Sequence, residues 1–219
     1  MDNLLEYINK GIKPLNCKDK ITDAQDLFLE LPYTHFPVIE NGVYIGCVSR
    51  EDAETLEGGI KIEENRQDLE RFYARSSMSW LDVQELFSRN QSNLMPVLDD
   101  ENNYLGYFEM EEIVRLFNET PFLKEEGGIV VVQKNEGDFS MSQVAQIVES
   151  NNAKILGMFI SKIENGKIEV TLKTSLGGLN EIIQTFRRFE YQIISQHQED
   201  SYIENLKDRS DYLDKYLNI

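Results

Sequence analysis

The sequence predicts a mixed α/β (α+β) protein of three segments, on three observations. A pattern of helix and strand signals in residues 1–120 occurs twice. Residues 121–198 carry strand and helix signals in the order β-α-β-β-α-β. Residues 199–219 have apolar residues at helical spacing and predict a C-terminal helix. A chain of 219 residues is long enough for domains of this size, each with its own core.

The repeat in residues 1–120 rests on landmarks that share one offset. Three landmarks return after 59 or 60 residues: Asp23 as Asp82, Pro37 as Pro96 and Gly46 as Gly106. We assign residues 1–59 to a first repeat and residues 77–120 to a second. The charged residues 60–76 connect them. Two similar copies predict a pair of units that bury their faces against each other.

Each repeat has the signals of a helix, a strand, a tight turn, a second strand and a second helix. Asn41-Gly42 predicts the turn, because both residues accept a positive φ. The strand before it contains Pro37. We expect this proline at a strand start or a sheet edge, since it has no N–H to donate. The second helix opens at Ser49 and should end near Gly58.

The charge excludes two classes of partner. The chain has 39 acidic against 22 basic residues, a net charge of −17. Residues 1–120 alone carry 24 acidic and 11 basic side chains, a net charge of −13. Such a surface repels both nucleic acid and anionic membranes. No apolar stretch is long enough to span a bilayer, and no secretory signal is visible. We expect Cys17 and Cys47 to be reduced thiols in the cytosol.

The order of elements in the repeat, with its Pro-Val strand and its Gly-apolar-apolar-Ser-x-x-Asp motif, resembles the cystathionine-β-synthase (CBS) domain. The resemblance covers residues 1–120 and implies a tandem CBS pair. It implies that a cleft between the repeats binds an adenosyl ligand of the AMP, ATP or S-adenosylmethionine class. It places Ser49 at a phosphate and Asp52 at the ribose hydroxyls. Arg50 is a further candidate for phosphate contact, and His35 for the edge of the cleft.

These four residues also fit a structure without a ligand. Ser49 and Asp52 have the spacing of a helix N-cap with an acidic residue in the first turn. Arg50 also fits a solvated surface arginine, and His35 a hydrogen-bonded structural histidine. The sequence leaves both interpretations open.

The second repeat departs from the motif. Glu109 stands at the serine position and Glu112 at the aspartate position. An ionised carboxylate at Glu109 would repel a phosphate and has no proton to donate. We therefore expect at most one nucleotide site, in the first repeat. The net charge of this half favours a monophosphate or a cationic adenosyl compound over ATP without a metal.

The order of elements in residues 121–198 predicts a ferredoxin-like fold. With a glycine in the loop after the first strand, this order resembles the ACT domain, a regulatory module. The resemblance implies a possible effector loop at Asn135 and Gly137, although the loop lacks the proline that ACT domains often have. Gly137 also fits a turn residue with positive φ. A CBS pair followed by an ACT domain resembles the small bacterial acetoin-utilisation CBS proteins.

The segment 199–219 predicts a helix with a short heptad seam. The seam consists of Ile203, Leu206, Ser210, Leu213 and Leu217. It could dock on its own domain or pair with another chain.

The sequence lacks the common phosphate-loop, dinucleotide and Cys-x-x-Cys motifs, and its two histidines have no ligand-spaced neighbours. We expect no metal, no cofactor and no catalysis. The leading hypothesis is a regulatory sensor of an adenosyl ligand, and the alternative is a dimeric scaffold whose CBS pair has lost nucleotide binding. Both imply a homodimer. The large apolar groups expected at its surface are Leu27, Phe28, Leu86 and Phe87.

Overall fold

A computed structural model describes residues 4–195 of the chain. The chain divides after Asn118 into an N-terminal and a C-terminal domain. The predicted helix over residues 199–219 lies outside the described residues. The mixed α+β class that the sequence predicts is confirmed. No helix in the described range is both long and apolar enough to cross a membrane.

The N-terminal domain contains two copies of one arrangement. In each copy a short strand is followed by a helix, a hairpin of two strands and a second helix. The first repeat comprises β1 (Leu15–Asn16), α1 (Ile21–Glu30), β2 (His35–Glu40), β3 (Val43–Ser49) and α2 (Arg50–Thr55). The second repeat comprises β4 (Ala74–Arg75), α3 (Trp80–Arg89), β5 (Leu94–Leu98), β6 (Tyr104–Glu109) and α4 (Met110–Asn118).

Both repeats build the same three-stranded sheet. The strand orders are β1-β2-β3 and β4-β5-β6, and in each the first pair is parallel and the second antiparallel. The hairpin of the first repeat turns at Asn41 and Gly42, whose φ angles of 52° and 88° are those that the Asn-Gly pair accepts. The predicted repeat is therefore a repeat in structure.

One expectation for the first repeat was wrong in detail. Helix α2 ends at Thr55, before the predicted end near Gly58. The connecting residues 60–76 also contain structure, since a 3₁₀ turn covers Ile62–Asn65 and β4 begins at Ala74. The connection therefore supplies the first strand of the second sheet.

Pro37 lies inside β2, the central strand of its sheet, and not at an edge or a strand start. It tolerates this position because its partner on β3 is Cys47, whose N–H and C=O both bond to Glu70 on the other side. The pair Pro37–Cys47 therefore needs no N–H from the proline. The same arrangement recurs at Pro96, which lies opposite Tyr107.

The two repeats exchange backbone hydrogen bonds across an approximate twofold axis. Asn9, which precedes β1 of the first repeat, donates to and accepts from Tyr107 on β6, at 2.8 and 3.0 Å. Glu70, before the second repeat, does the same with Cys47 on β3, at 2.9 and 2.7 Å. Each bridge satisfies the outer edge of a β-hairpin with residues that precede the other repeat.

The large apolar residues expected at a dimer surface do not form an exposed patch. Phe28 and Phe87 are 3% and 2% exposed and belong to the cores of their repeats. Leu27 and Leu86 are half-buried against those cores. This expectation was wrong because both helices turn these positions toward their sheets. The exposed apolar residues of the four main helices are Leu29, Leu81, Met110 and Val114.

The C-terminal domain contains the predicted β-α-β-β-α-β order, preceded by the short helix α5 (Pro121–Lys124). Its elements are β7 (Gly127–Asn135), α6 (Met141–Ser150), β8 (Ile155–Glu164), β9 (Lys167–Ser175), α7 (Leu179–Arg188) and β10 (Gln192–Ile193). The four strands form an antiparallel sheet in the order β10-β7-β9-β8. Residues of α6 and α7 share one apolar core with the sheet. The domain is therefore ferredoxin-like in topology.

Gly106 should resist substitution because the Asn9 bridge passes directly over it. A Cβ at Gly106 would lie 2.5 Å from the Asn9 carbonyl oxygen, and the φ of this residue is +147°. We expect Gly106→Ala to destabilise the protein by about 2 kcal/mol or more, measured by urea unfolding. Gly59→Ala, where a Cβ would meet nothing within 4 Å, is the matched control. Equal stability of the two variants would contradict this role of the bridge.

Candidate functional site

A cleft of about 540 Å³ lies between the two repeats of the N-terminal domain. Its volume is within the range of small-molecule sites. The lining combines residues of the first repeat and its linker (Thr34, His35, Ser49, Arg50, Glu51, Glu54 and Glu70) with Arg89, Asn90 and Gln91 of the second. Three of the four residues proposed from the sequence therefore meet in one cleft.

Ser49 is both a cleft residue and a helix cap. It is the N-cap of α2 and is 7% exposed. Its hydroxyl donates to Asp52 Oδ2 at 2.6 Å and accepts from the Asp52 N–H at 3.1 Å. Ser49 and Asp52 therefore form the N-cap that their spacing allows, and the hydroxyl proton of Ser49 is donated to Asp52.

Asp52 does not line the cleft. It lines a separate recess of about 10 Å³ beside Asn65, Asp68 and the apolar side chains of β3 and the linker. This space holds about one water molecule. The Nδ2 of Asn65 is buried there with no hydrogen-bond partner among the described residues. Asp52 is therefore absent from the lining of the cleft, although its Oδ2 lies 2.6 Å from the hydroxyl of Ser49, which does line it.

Arg50 is a half-buried anchor rather than a solvated surface arginine. Its Nη2 donates to the carbonyl oxygens of Leu31 and Tyr33, both at 3.0 Å. Its guanidinium lies 5.1 Å from the centre of the Phe28 ring. These contacts fix a positive charge at the wall of the cleft and tie α2 to the end of α1.

His35 is buried, with 6% exposure, and both of its nitrogens have neighbours. Nδ1 lies 2.8 Å from Thr34 Oγ1, and Nε2 lies 3.3 Å from Glu70 Oε1. Its ring packs edge-on against Phe72. His35 thus lines the cleft and is also hydrogen-bonded within the fold, so the two interpretations of this residue coexist.

Five of the lining residues that sequence reasoning missed are Thr34, Glu70, Arg89, Asn90 and Gln91. Thr34 is related to Asn93 by the 59-residue offset of the repeat, and its backbone N–H donates to Asn93 Oδ1 at 2.9 Å. Glu70 reaches the cleft because its backbone pairs with Cys47, and Arg89, Asn90 and Gln91 reach it because α3 ends there. No sequence motif indicates these four residues.

The equivalent position in the second repeat is occupied by the protein's own side chains. Glu109 Oε1 accepts from Asn9 Nδ2 at 2.7 Å and from the Tyr33 hydroxyl at 3.0 Å. Burial, followed by the hydrogen bond to Glu109, raises the pKa of Tyr33, so the phenol remains the donor. Met110 and Val114 stand where the first repeat has Arg50 and Glu54. This position has no cation equivalent to Arg50.

The two residues of the proposed effector loop in the C-terminal domain do not line the same pocket. Asn135 lines a shallow surface pocket of about 170 Å³ with Lys134, Asp138 and Lys167 among its neighbours. Gly137 is not part of that lining, and it does not have the positive φ expected of a turn glycine. The loop forms a 3₁₀ turn over Glu136–Asp138, whose backbone any residue adopts. Within residues 4–195, no three acidic, histidine or cysteine side chains are placed to hold a metal.

Residues 6–54 and 69–119 match the model of the CBS domain family. The N-terminal domain is therefore a tandem pair of CBS domains, as the repeat predicts. An uncharacterized protein of Methanocaldococcus jannaschii is 27% identical over 135 residues, which cover 60% of this chain and 50% of that protein. The chain thus spans about half the length of the curated relative it matches.

Solved structures resemble about half of the chain. A CBS domain pair/ACT domain protein from Thermotoga maritima is 16% identical with a TM-score of 0.49, over 53% of this chain and 97% of that one. CBSX2, solved in complex with AMP, is 20% identical with a TM-score of 0.44, over 52% of this chain and 95% of that one.

The Ser49–Asp52 cap has a chemical duplicate outside the cleft. Ser79 caps α3, donates to Asp82 Oδ2 at 2.7 Å and accepts from the Asp82 N–H at 3.3 Å. We expect Ser49→Ala and Ser79→Ala each to lower the free energy of unfolding by about 1 kcal/mol, the usual value of an N-cap. Thermal or urea unfolding without ligand measures both. A stable Ser49→Ala variant would contradict the capping role.

Proposed function

We propose that this protein is a regulatory sensor that binds one adenosyl ligand in the cleft between its CBS domains. CBS domains are generally regulatory modules that bind adenosyl ligands. The observation that carries the proposal is the convergence of Ser49, Arg50 and His35 on a cleft of suitable volume. A nucleoside presents hydrogen-bonding groups on its base and its ribose, and the polar lining of the cleft offers partners for them.

The residues have different roles in this proposal. Arg50 supplies a fixed positive charge, and His35 and Thr34 supply polar atoms at the wall. Asp52 acts through Ser49, because it accepts the serine proton and orients the hydroxyl oxygen. Ribose recognition by Asp52 would require the recess beside it to open. We therefore assign Asp52 a positioning role.

One site per chain follows from the asymmetry of the repeats. The Glu109 carboxylate is held by Asn9 and Tyr33 at the position equivalent to Ser49. An anionic ligand at that position would face a carboxylate without an adjacent cation. The second repeat then contributes to folding and to the wall of the first site.

We propose no catalytic role for the cleft. The Ser49 hydroxyl donates to Asp52, while the nitrogens of His35 face Thr34 and Glu70. The hydrogen-bond acceptor of the serine is therefore the capping carboxylate of Asp52 and not the imidazole of His35, unlike a Ser–His nucleophile pair. The two free, buried thiols, Cys17 and Cys47, support a reducing cytosolic environment.

The alternative is a scaffold that has lost ligand binding. It is favoured by the mutual satisfaction of Ser49 and Asp52, which leaves neither side chain in need of a ligand. The two functions differ in one measurable property, since only a sensor is stabilised by its ligand.

We expect titration calorimetry with AMP, ADP, ATP and S-adenosylmethionine to show one site per chain for at least one of them. Ser49→Ala should weaken binding about 10-fold or more, because it removes a polar group from the cleft. Ser79→Ala is the matched control, since it removes the same kind of cap outside the cleft and should leave affinity unchanged. Absence of binding by all four compounds would favour the scaffold.

We propose that the C-terminal domain is an ACT-like regulatory domain and that the protein is a homodimer of the acetoin-utilisation CBS type. The support is the ferredoxin-like strand order after a CBS pair. Exposed apolar side chains on the CBS helices, such as Leu29 at 84% and Leu81 at 59%, also favour a partner surface. The proposal does not include a role in acetoin metabolism.

The dimer should tighten as salt rises from low to physiological concentration. The net charge of −17 on each chain opposes association, and ions screen this repulsion. Sedimentation equilibrium at micromolar concentration should give about twice the 25.4 kDa of one chain. A monomer mass at every salt concentration would end the proposal, and dissociation by added salt would contradict its electrostatic part.

A further inference from the structure

The sheet of the C-terminal domain packs against α6 and α7 through one of its two faces. Val130 and Val132 of β7 lie on that face and are fully buried. Because side chains alternate along a strand, Ile129 and Val131 lie on the opposite face, which we call the outer face. The strand register places Phe159 of β8 in the same row as Val131.

The outer face is apolar where an antiparallel sheet exposed to water is usually polar. Residues 129–132 form an uninterrupted run of one isoleucine and three valines, without the alternation of a half-buried strand. Such a run is typical of a strand covered on both faces. Ile129 and Phe159 are nevertheless 46% and 45% exposed. Strand β7 therefore has the composition of a doubly covered strand, while its outer side is open.

Helix α5 covers the outer face only at the β8 side of the sheet. A Cβ at Gly157 of β8 would lie 2.7 Å from a ring carbon of Phe122, which belongs to α5. The rings of Phe122 and Phe159 lie 5.6 Å apart between their centres. At the other side of the sheet, next to β7, Ile194 follows β10 and is 40% exposed. The open part of the outer face is therefore the part that β7 and β10 form.

The chain leaves the sheet at this open part. The Ile194 N–H donates to the Val131 carbonyl oxygen at 2.8 Å, and the Ser195 hydroxyl accepts from the Val131 N–H at 3.0 Å. Residues 196–219 follow directly and lie outside the described residues. A helix over residues 202–219 would be about 27 Å long, and a strand of nine residues such as β7 spans about 30 Å. The segment thus begins beside the outer face and has the length to cover it.

The sequence of this segment matches the outer face in polarity and in charge. The seam residues Ile203, Leu206, Leu213 and Leu217 lie on one side of the predicted helix. Lys173 of β9 lies on the outer face beside Ile129, is 7% exposed and forms no ion pair with any of residues 4–195. A positive charge among apolar neighbours is stabilised by a carboxylate, and residues 199–219 carry six acidic against three basic side chains.

We infer that residues 199–219 form a helix that docks through its apolar seam on the outer face of the sheet in the same chain. The sheet then lies between two layers of helix, with α6 and α7 on one side and the C-terminal helix on the other. Of the two uses that the sequence leaves open for the seam, this inference selects docking on its own domain over pairing with another chain. It does not depend on the ligand of the CBS pair.

Substitutions in the seam of the full chain test the docking. Leu206→Lys combined with Leu213→Lys should lower a melting transition by about 5 °C or more, because two leucines no longer pack on the sheet. Asn205→Lys combined with Tyr212→Lys is the matched control, since it adds the same charges at the same spacing outside the seam. The control should melt within about 2 °C of the wild type. Scanning calorimetry measures all three chains.

Photochemical cross-linking of the otherwise unchanged chain identifies what the seam contacts. The photoreactive amino acid p-benzoylphenylalanine is placed at position 206, and chains labelled with ¹⁴N and ¹⁵N are mixed before irradiation. Mass spectrometry should find cross-links to peptides that contain Ile129, Val131 or Phe159, and both cross-linked peptides should carry the same isotope.

The outcomes separate docking from pairing. Cross-links between a ¹⁴N peptide and a ¹⁵N peptide would show that the seam binds a second copy, and the inference would be overturned. Cross-links to α6 or α7 in place of the outer face would overturn it as well. Equal melting of the wild type and the Leu206→Lys, Leu213→Lys chain would also contradict it. None of these results bears on ligand binding by the CBS pair, so the proposed function is tested separately.

Discussion

The reciprocal backbone bridges between the two CBS domains are the constraint on which the rest of this domain depends. Asn9 pairs with Tyr107 and Glu70 pairs with Cys47, each through two hydrogen bonds. Without them the outer edges of β3 and β6 would expose unsatisfied backbone groups. Because each bridging residue precedes the first strand of one repeat and pairs with the outer strand of the other, the hairpin edge of each sheet is completed by the other repeat. The prolines opposite the bridges are tolerated for the same reason.

Each bridge also brings a polar side chain to one of the two equivalent positions between the repeats. The Glu70 bridge brings a carboxylate to within 3.3 Å of His35 at the cleft. The Asn9 bridge brings an amide to within 2.7 Å of Glu109, where it helps to occupy the equivalent position. The two approximately equivalent positions therefore differ. One is an open cleft, and at the other Glu109 is held by the side chains of Asn9 and Tyr33. The difference arises from a few side chains on a common backbone.

Ser49 and Asp52 form a helix cap at the position where the sequence predicts a binding motif. Their mutual hydrogen bonds are repeated almost atom for atom by Ser79 and Asp82, which lie outside the cleft. The hydrogen bonds from Ser79 lower the pKa of Asp82 from its usual value, as expected for a capping carboxylate. The mutual side-chain hydrogen bonds are therefore local chemistry, and the surroundings of Ser49 distinguish its pair as a candidate site. Those surroundings are the cleft, Arg50 and the residues of the second repeat.

The sequence by itself determined the repeat, the hairpin turns, the ferredoxin-like order and the weakness of Glu109 as a phosphate contact. These features depend on neighbours in the chain: periodicity, Asn-Gly turns and the charge of one side chain. Through the resemblance to the CBS domain it also indicated Ser49 and Arg50 as candidate cleft residues, and His35 from its place beside Phe36 and Pro37. Only the tertiary structure decided that Asp52 faces another recess, that Pro37 lies in a central strand and that Phe28 is buried. It alone brought Glu70 and Arg89 to the cleft, because residues this far apart meet through a backbone bridge and a helix end that no local pattern encodes.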